Sequence, residues 1–191
     1  MLKTELREIY LEKRKVLSDD EVFLLSQKIF ENFIENFHPA SGQKIHVFLP
    51  IKKFREIETS FLIDFCWKNT IHVFVPKVVG NTLISVEIFP ETEFEINKWE
   101  IREPVSKKDS GISDFDFVIT PLLYCDQNGN RVGYGKGFYD SFFETISSET
   151  KKIGVNCFEP NETVDDTWEN DIQLDYLVTP TAVLSFLNGA E

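Results

Sequence analysis

Apolar residues at helical spacing open the chain: Leu2, Leu6, Ile9 and Val16 form one stripe, and Val22, Phe23, Leu25, Ile29, Phe30, Phe33, Ile34 and Phe37 form a second. Ser18 followed by Glu21 is a capping-box pair, which starts the second helix. The period then changes. Short β-branched and aromatic runs at 44–50, 70–76, 82–89, 115–121, 151–156 and 175–180 are bounded by Pro, Asn or Gly and read as strands. Helical spacing returns in 59–69, between the first two strands, and in 138–146. Alternation of this kind predicts an α/β fold with a mainly parallel sheet covered by helices on both faces. The runs IHVFLP and IHVFVP share a composition but not their flanks, so they are two strands of one sheet and not a duplication.

A chain of 191 residues can bury about two-thirds of its unfolded surface in one core, so residues 1–191 are expected to form one domain. Its 42% apolar content and eighteen phenylalanines against one methionine predict a stiff, aromatic interior. The net charge of −12 argues against nucleic acid or an anionic membrane as partner, because both need a positive footprint. An anionic small molecule must then be held by a local cluster of cations. Cys66, Cys125 and Cys157 are odd in number and far apart, which predicts reduced thiols and a cytoplasmic protein. His38, His46 and His72 lack any metal-ligand spacing, and no apolar run approaches the roughly 18 residues of a membrane span. The partners expected are small molecules, and the chain is expected to act as a monomer.

The densest chemical signal is NGNRVGYGKGFYDSFF at 128–143, with Gly133, Gly135 and Gly137 at alternate positions. It follows a strand and a polar turn and runs into a helix, a setting in which backbone N–H groups converge on an anion. Glycine suits it twice over, by allowing positive φ and by letting the backbone approach a phosphate closely. The spacing is neither the dinucleotide fingerprint nor a Walker loop, because Lys136 is followed by glycine. It is not a calcium loop either, since Arg131 stands where the glycine is required. A hairpin whose glycines only serve the turn is the alternative.

With these residues in view, NRVGYGKGFYD resembles the glycine signature of the 5-formyltetrahydrofolate cyclo-ligase family. KTELR at the start, FLPIKKFREIET, WEIREP and DDTWENDIQLDYLVTPT are similar to the family's other segments in order, so the resemblance covers nearly the whole chain. It implies a three-layer α/β/α fold like that of the sugar-phosphate isomerase and CoA-transferase group. It also implies an ATP- and magnesium-dependent enzyme that converts 5-formyltetrahydrofolate to 5,10-methenyltetrahydrofolate.

The site residues follow from the same resemblance. Lys3 and Arg7, with Arg14 further along one side of the first helix, look like the family's ATP clamp; a solvated face paired with Glu8 or Glu12 is the other reading. Arg131, Gly133, Tyr134, Gly135, Lys136, Gly137, Phe138 and Tyr139 match the phosphate loop, with Lys136 and Tyr139 as catalytic candidates. Asp140 and Asp175 match the magnesium carboxylates, although Asp140 alone would suit a first-turn helix acid. Leu49, Glu56, Trp99 and Tyr139 match the folate site, where aromatic walls and a carboxylate suit a flat pterin; Trp99 could equally be a core aromatic. Tyr134, where some members carry arginine, and Phe138, where tyrosine is common, depart from the pattern. Another enzyme of the same fold, or a non-catalytic nucleotide or folate binder, are the competing classes. The paired aspartates with Lys136 favour an enzyme.

Overall fold

The computed structural model describes residues 1–97 and 100–187. Two helices come first, α1 (Lys3–Lys15) and α2 (Asp19–Phe37). The capping box at the start of α2 is formed: Glu21 N donates to Ser18 Oγ at 3.2 Å, and Glu21 Oε2 accepts from Ser18 N at 2.7 Å. Helix α1 is rotated from the stripe expected of it. Leu6, Tyr10 and Arg14 are its buried residues, whereas Leu2, Ile9 and Val16 are exposed. The reason is tertiary, because Tyr10 stacks on Tyr124 with ring centroids 4.3 Å apart. Arg14 is therefore drawn inward, and does not stand on an outer cationic face.

The main sheet comprises β1 (Lys44–Val47), β2 (His72–Val79), β3 (Thr82–Ile88), β6 (Phe117–Thr120), β9 (Lys151–Val155), β10 (Tyr176–Val178) and β11 (Val183–Ser185). Their order is β11-β10-β9-β6-β1-β2-β3. The five inner strands are parallel neighbours, and β3 and β11 close the two edges antiparallel. Residues of successive register, such as Ile45 beside Phe117 and Val73, fix the inner strands to one another.

Strand alternation divides the core into two layers. Val47, Val75, Ile119, Ile153 and Val155 pack on one face against Phe30 and Phe33 of α2 and Leu62 and Cys66 of α3 (Ser60–Lys68). On the other face Phe74 and Val118 meet Phe142 and Phe143 of α4 (Phe138–Phe143). Burial on both sides is why the strands read as nearly continuous apolar runs. Packing on the second face is close enough that a Cβ on Gly154 would lie 2.5 Å from Leu174 and 2.7 Å from Leu122.

Two small hairpins stand outside the sheet: β4 (Phe94–Ile96) with β5 (Arg102–Pro104), and β7 (Tyr124–Cys125) with β8 (Arg131–Val132). Helix α1 sits on the second of them. Strand β1 leads through α3 to β2 on one side, while β6 lies on its other side. The chains leaving β1 and β6 thus diverge at the C-terminal edge of the sheet, the switch point at which folds of this kind bind ligands. Among the described residues no helix is long and apolar enough to cross a membrane.

Candidate functional site

The segment that leaves β6 enters the β7–β8 hairpin, whose turn is tied by Asp126: its Oδ1 accepts from the backbone N–H groups of Asn128 and Asn130, both at 2.9 Å. The glycine loop follows at once. Gly135 and Gly137 have φ of 81° and 69°, in the left-handed region where a Cβ is strained. Arg7 Nε donates to Gly133 O at 2.8 Å, and a Cβ on Gly135 would lie 3.4 Å from the Arg7 guanidinium carbon. Arg7 thus lies in van der Waals reach of Gly135, whose positive φ is what calls for glycine. Nothing lies within 4 Å of the Cβ position at Gly133 or Gly137, and Lys136 is exposed, so the loop keeps an open side.

Lys3, one turn before Arg7, pairs with Asp171. Burial pushes the Asp171 carboxyl up, but the bonds from Lys3 and from the Trp168 N–H outweigh it and hold the group below the usual carboxylate range.

The same loop reaches a buried carboxylate on its other side. Tyr134 Oη donates to Glu56 Oε1 at 2.7 Å, and Ile51 N donates to Glu56 Oε2 at 2.7 Å. Glu56 stands in the chain leaving β1 and is 5% exposed. Burial raises its pKa, against the opposing pull of those two bonds and of Arg14. Arg14, 2% exposed, donates to Leu122 O and, at 3.4 Å, to Tyr134 Oη. The Tyr134 ring stacks on Phe54 with centroids 5.2 Å apart. Burial first, and the Glu56 charge second, push the Tyr134 phenol up, so it stays a donor. The tyrosine that departs from the family pattern is thus the link between the loop and Glu56.

Asp140, in the first turn of α4, accepts through Oδ1 from Arg131 Nη2 at 2.5 Å and from Ile172 N at 3.3 Å. Arg131 also donates to Ile172 O and lies 4.9 Å from the centre of the Phe143 ring. This arginine is engaged with protein groups on all the sides described. Tyr139 packs edge-on to Phe143, and its hydroxyl is buried with no partner among the described residues. Burial, then the Glu56 charge, keeps that hydroxyl protonated. Phe138 is half-buried beside it.

Asp175 stands apart. It precedes β10, where its Oδ2 accepts from Lys152 N at 2.7 Å and pairs with Lys152 Nζ at 3.0 Å. No bond or shared partner joins Asp175 to Asp140 among the described residues. Leu49 is buried in the layer against α2 and α3. Trp99 lies outside the described residues.

The site holds groups to which the sequence assigned no role. Asp171, Ile172, Phe54 and the inward Arg14 all enter through contacts between distant parts of the chain. Phe54, Asp171 and Ile172 lie within the family-like segments at 48–59 and 165–181 but carry no expected role there, and Arg14, seven residues from Arg7, lies on the inner side of the helix and not on the outer cationic side its spacing predicts.

A mostly parallel sheet whose strand order reverses where a glycine loop, two helical cations and a buried carboxylate adjoin one another defines an α/β enzyme of the ligand-at-the-strand-ends type. Residues 1–180 match the family model of the 5-formyltetrahydrofolate cyclo-ligase family. The chain is 31% identical over 182 residues to the 5-formyltetrahydrofolate cyclo-ligase of Mycoplasma pneumoniae, covering 93% of this chain and 98% of that one. It is 30% identical to a probable 5-formyltetrahydrofolate cyclo-ligase of Schizosaccharomyces pombe, over 95% and 97% of the two chains. The structure is similar to that of Aquifex aeolicus 5,10-methenyltetrahydrofolate synthetase, with a TM-score of 0.83, 30% identity and coverage of 100% and 96%. The chain belongs to the 5-formyltetrahydrofolate cyclo-ligase family, and is a ligase of folate metabolism.

Proposed function

We propose that the protein uses ATP and magnesium to convert 5-formyltetrahydrofolate to 5,10-methenyltetrahydrofolate, releasing ADP and phosphate. The N5-formyl group is an amide, whose oxygen is a poor leaving group. Transfer of the γ-phosphoryl group to that oxygen makes phosphate the leaving group, and N10 attacks the formyl carbon to close the five-membered ring. Such chemistry asks the protein chiefly for positioning and charge neutralisation.

The observation that carries this reading is the double attachment of one loop: Gly133 O accepts from Arg7, and the next residue, Tyr134, donates to Glu56. One short segment therefore adjoins a cationic helix suited to a triphosphate and a buried carboxylate suited to the amino and N–H groups of a pterin. Lys3, Arg7, Lys136 and the open backbone of the loop hold the phosphates. Glu56 and Tyr139 orient the folate, with the Tyr139 hydroxyl as a donor toward the reacting formyl oxygen. Leu49 and Trp99 are assigned to the folate side on the family resemblance, and the loop's Arg131 positions Asp140.

Of the two aspartates, Asp140 fits magnesium. Asp140 commits one oxygen to Arg131 and Ile172, and its other oxygen has no partner among the described residues. Asp175, salt-bridged to Lys152 where β9 and β10 begin, shares no partner with Asp140 among the described residues and is assigned to magnesium on the family resemblance alone. Among the described residues no group of three or more His, Cys, Asp or Glu side chains is gathered, which suits a cation that takes one or two carboxylates and completes its shell with phosphate oxygens and water. When bound, magnesium neutralises charge on the transferring phosphoryl group.

The test is to follow the absorbance of the methenyl product from purified protein and 5-formyltetrahydrofolate, with and without Mg-ATP. Product is expected only with both. Asp140→Asn is expected to lower turnover at least about a hundredfold while the fold persists. Full activity without ATP, or in the Asp140 variant, would sink the reading.

A further inference from the structure

Four side chains carry buried polar atoms without a partner among the described residues: Arg14 at Nε, His46 at both ring nitrogens, Tyr139 at its hydroxyl, and Asn156 at both Nδ2 and Oδ1. Such atoms are rare in folded proteins and each calls for a reason. His46 lies inside the aromatic layer between Phe115 and Phe142. Asn156 is different. It is 0% exposed, and it directly follows β9 at the C-terminal edge of the sheet.

Its direction follows from the ladder. Asn156 N donates to Val178 O at 3.1 Å, so the extended pairing with β10 continues through this residue. Val155 packs into the layer against α2 and α3, which turns Gly154 and Asn156 to the opposite face. On that face Leu122 lies 2.7 Å from a Cβ position on Gly154, and the carbonyl of the same Leu122 accepts from Arg14. Arg14 in turn meets Tyr134, which donates to Glu56. The unpaired amide therefore faces the layer of Leu122, whose carbonyl in turn holds Arg14 of the Arg14, Tyr134 and Glu56 cluster.

An amide offers donors and an acceptor together. A phosphate group presents only acceptors and would leave Oδ1 unmatched. The edge of a reduced pterin presents ring N–H donors beside a carbonyl oxygen and ring nitrogens, which match both halves of the amide. We infer that Asn156 binds the pterin ring of 5-formyltetrahydrofolate, its Oδ1 accepting from a ring N–H and its Nδ2 donating to a ring acceptor. This rests on the reading of the Glu56 side as the folate half of the site. Asn156 is then kept polar at a cost to the ligand-free fold, because it is paired only when substrate is bound.

Asn156→Leu keeps the volume and removes both polar atoms. A thermal midpoint equal to or above that of the parent is expected, because two unpaired buried atoms are gone. KM for 5-formyltetrahydrofolate is expected to rise about tenfold or more, while KM for ATP stays within about twofold. Should the leucine variant fail to fold, Asn156→Ser is expected to show the same split. An unchanged folate KM, or an equal rise in both KM values, would overturn the assignment. Glu56→Gln measured alongside separates two failures: if it raises the folate KM while the Asn156 variants do not, the Asn156 assignment alone falls. If neither variant moves that KM, the placing of the folate half falls with it.

Discussion

The Tyr134 hydroxyl donates at 2.7 Å to a carboxylate that is 5% exposed, a setting in which a hydrogen bond to a charged acceptor contributes about 1.5–3 kcal/mol. Tyr134→Phe keeps the stack on Phe54 and deletes this bond together with the long 3.4 Å contact from Arg14. Urea unfolding at neutral pH is expected to show a loss of about 1–3 kcal/mol. A loss below about 0.5 kcal/mol would mean that the loop and Glu56 are not joined in solution. At this scale the sequence was readable where function runs along the chain. The glycine triplet, Lys136 and Asp140 sit in one continuous motif, and Lys3 and Arg7 share a helix turn. Contacts made across the fold were not readable. Arg14 points inward because Tyr10 stacks on Tyr124, and Asp171 is selected by Lys3 from 168 positions away.

The glycine loop behaves as an element whose three glycines have separate reasons. Gly135 has φ of 81° and lies against Arg7, so Gly135→Ala is expected to cost about 1–2 kcal/mol of stability through backbone strain and to weaken ATP use. Gly133 has neither feature, and nothing lies within 4 Å of its Cβ position. Gly133→Ala should therefore unfold within about 0.5 kcal/mol of the parent, yet raise KM for ATP if the open side of the loop is where phosphates lie. Unaltered ATP kinetics in the Gly133 variant would place the nucleotide elsewhere. Among the other elements, the inner strands were legible because burial on both faces writes long β-branched runs. The strand at 82–89 was legible for a similar composition and proves to be the antiparallel edge β3. Hairpins of two- and three-residue strands were not, since β7 with β8 and β4 with β5 are too short to carry an alternating pattern. They are held instead by long-range anchors, as where buried Lys77 donates to Pro104 O and pairs with Glu103 at 3.3 Å.

Over the whole molecule, the aromatic layer between the sheet and α4 encloses one group that ought to make stability depend on pH. His46 has ring centroids of Phe142 and Phe115 at 4.6 and 5.4 Å and no hydrogen-bond partner among the described residues. Burial lowers its pKa from 6.5 to about 3, so it is neutral in the fold. The unfolded chain binds a proton at this histidine below about pH 6.5, and the folded chain does not until about pH 3. Acidification in that window therefore favours unfolding, by up to about 1.4 kcal/mol per pH unit. Between pH 7 and pH 5 this single group is expected to remove about 2 kcal/mol. Glu56 acts in the opposite sense, since its raised pKa lets the folded chain take a proton first. That contribution is common to the parent and to His46→Leu, so the difference between them isolates the histidine. Urea unfolding of both proteins at pH 7 and pH 5 should show the parent losing about 2 kcal/mol more than the variant. Parallel losses would mean that His46 is solvated or partnered in solution, and that the aromatic layer is less closed than its packing implies.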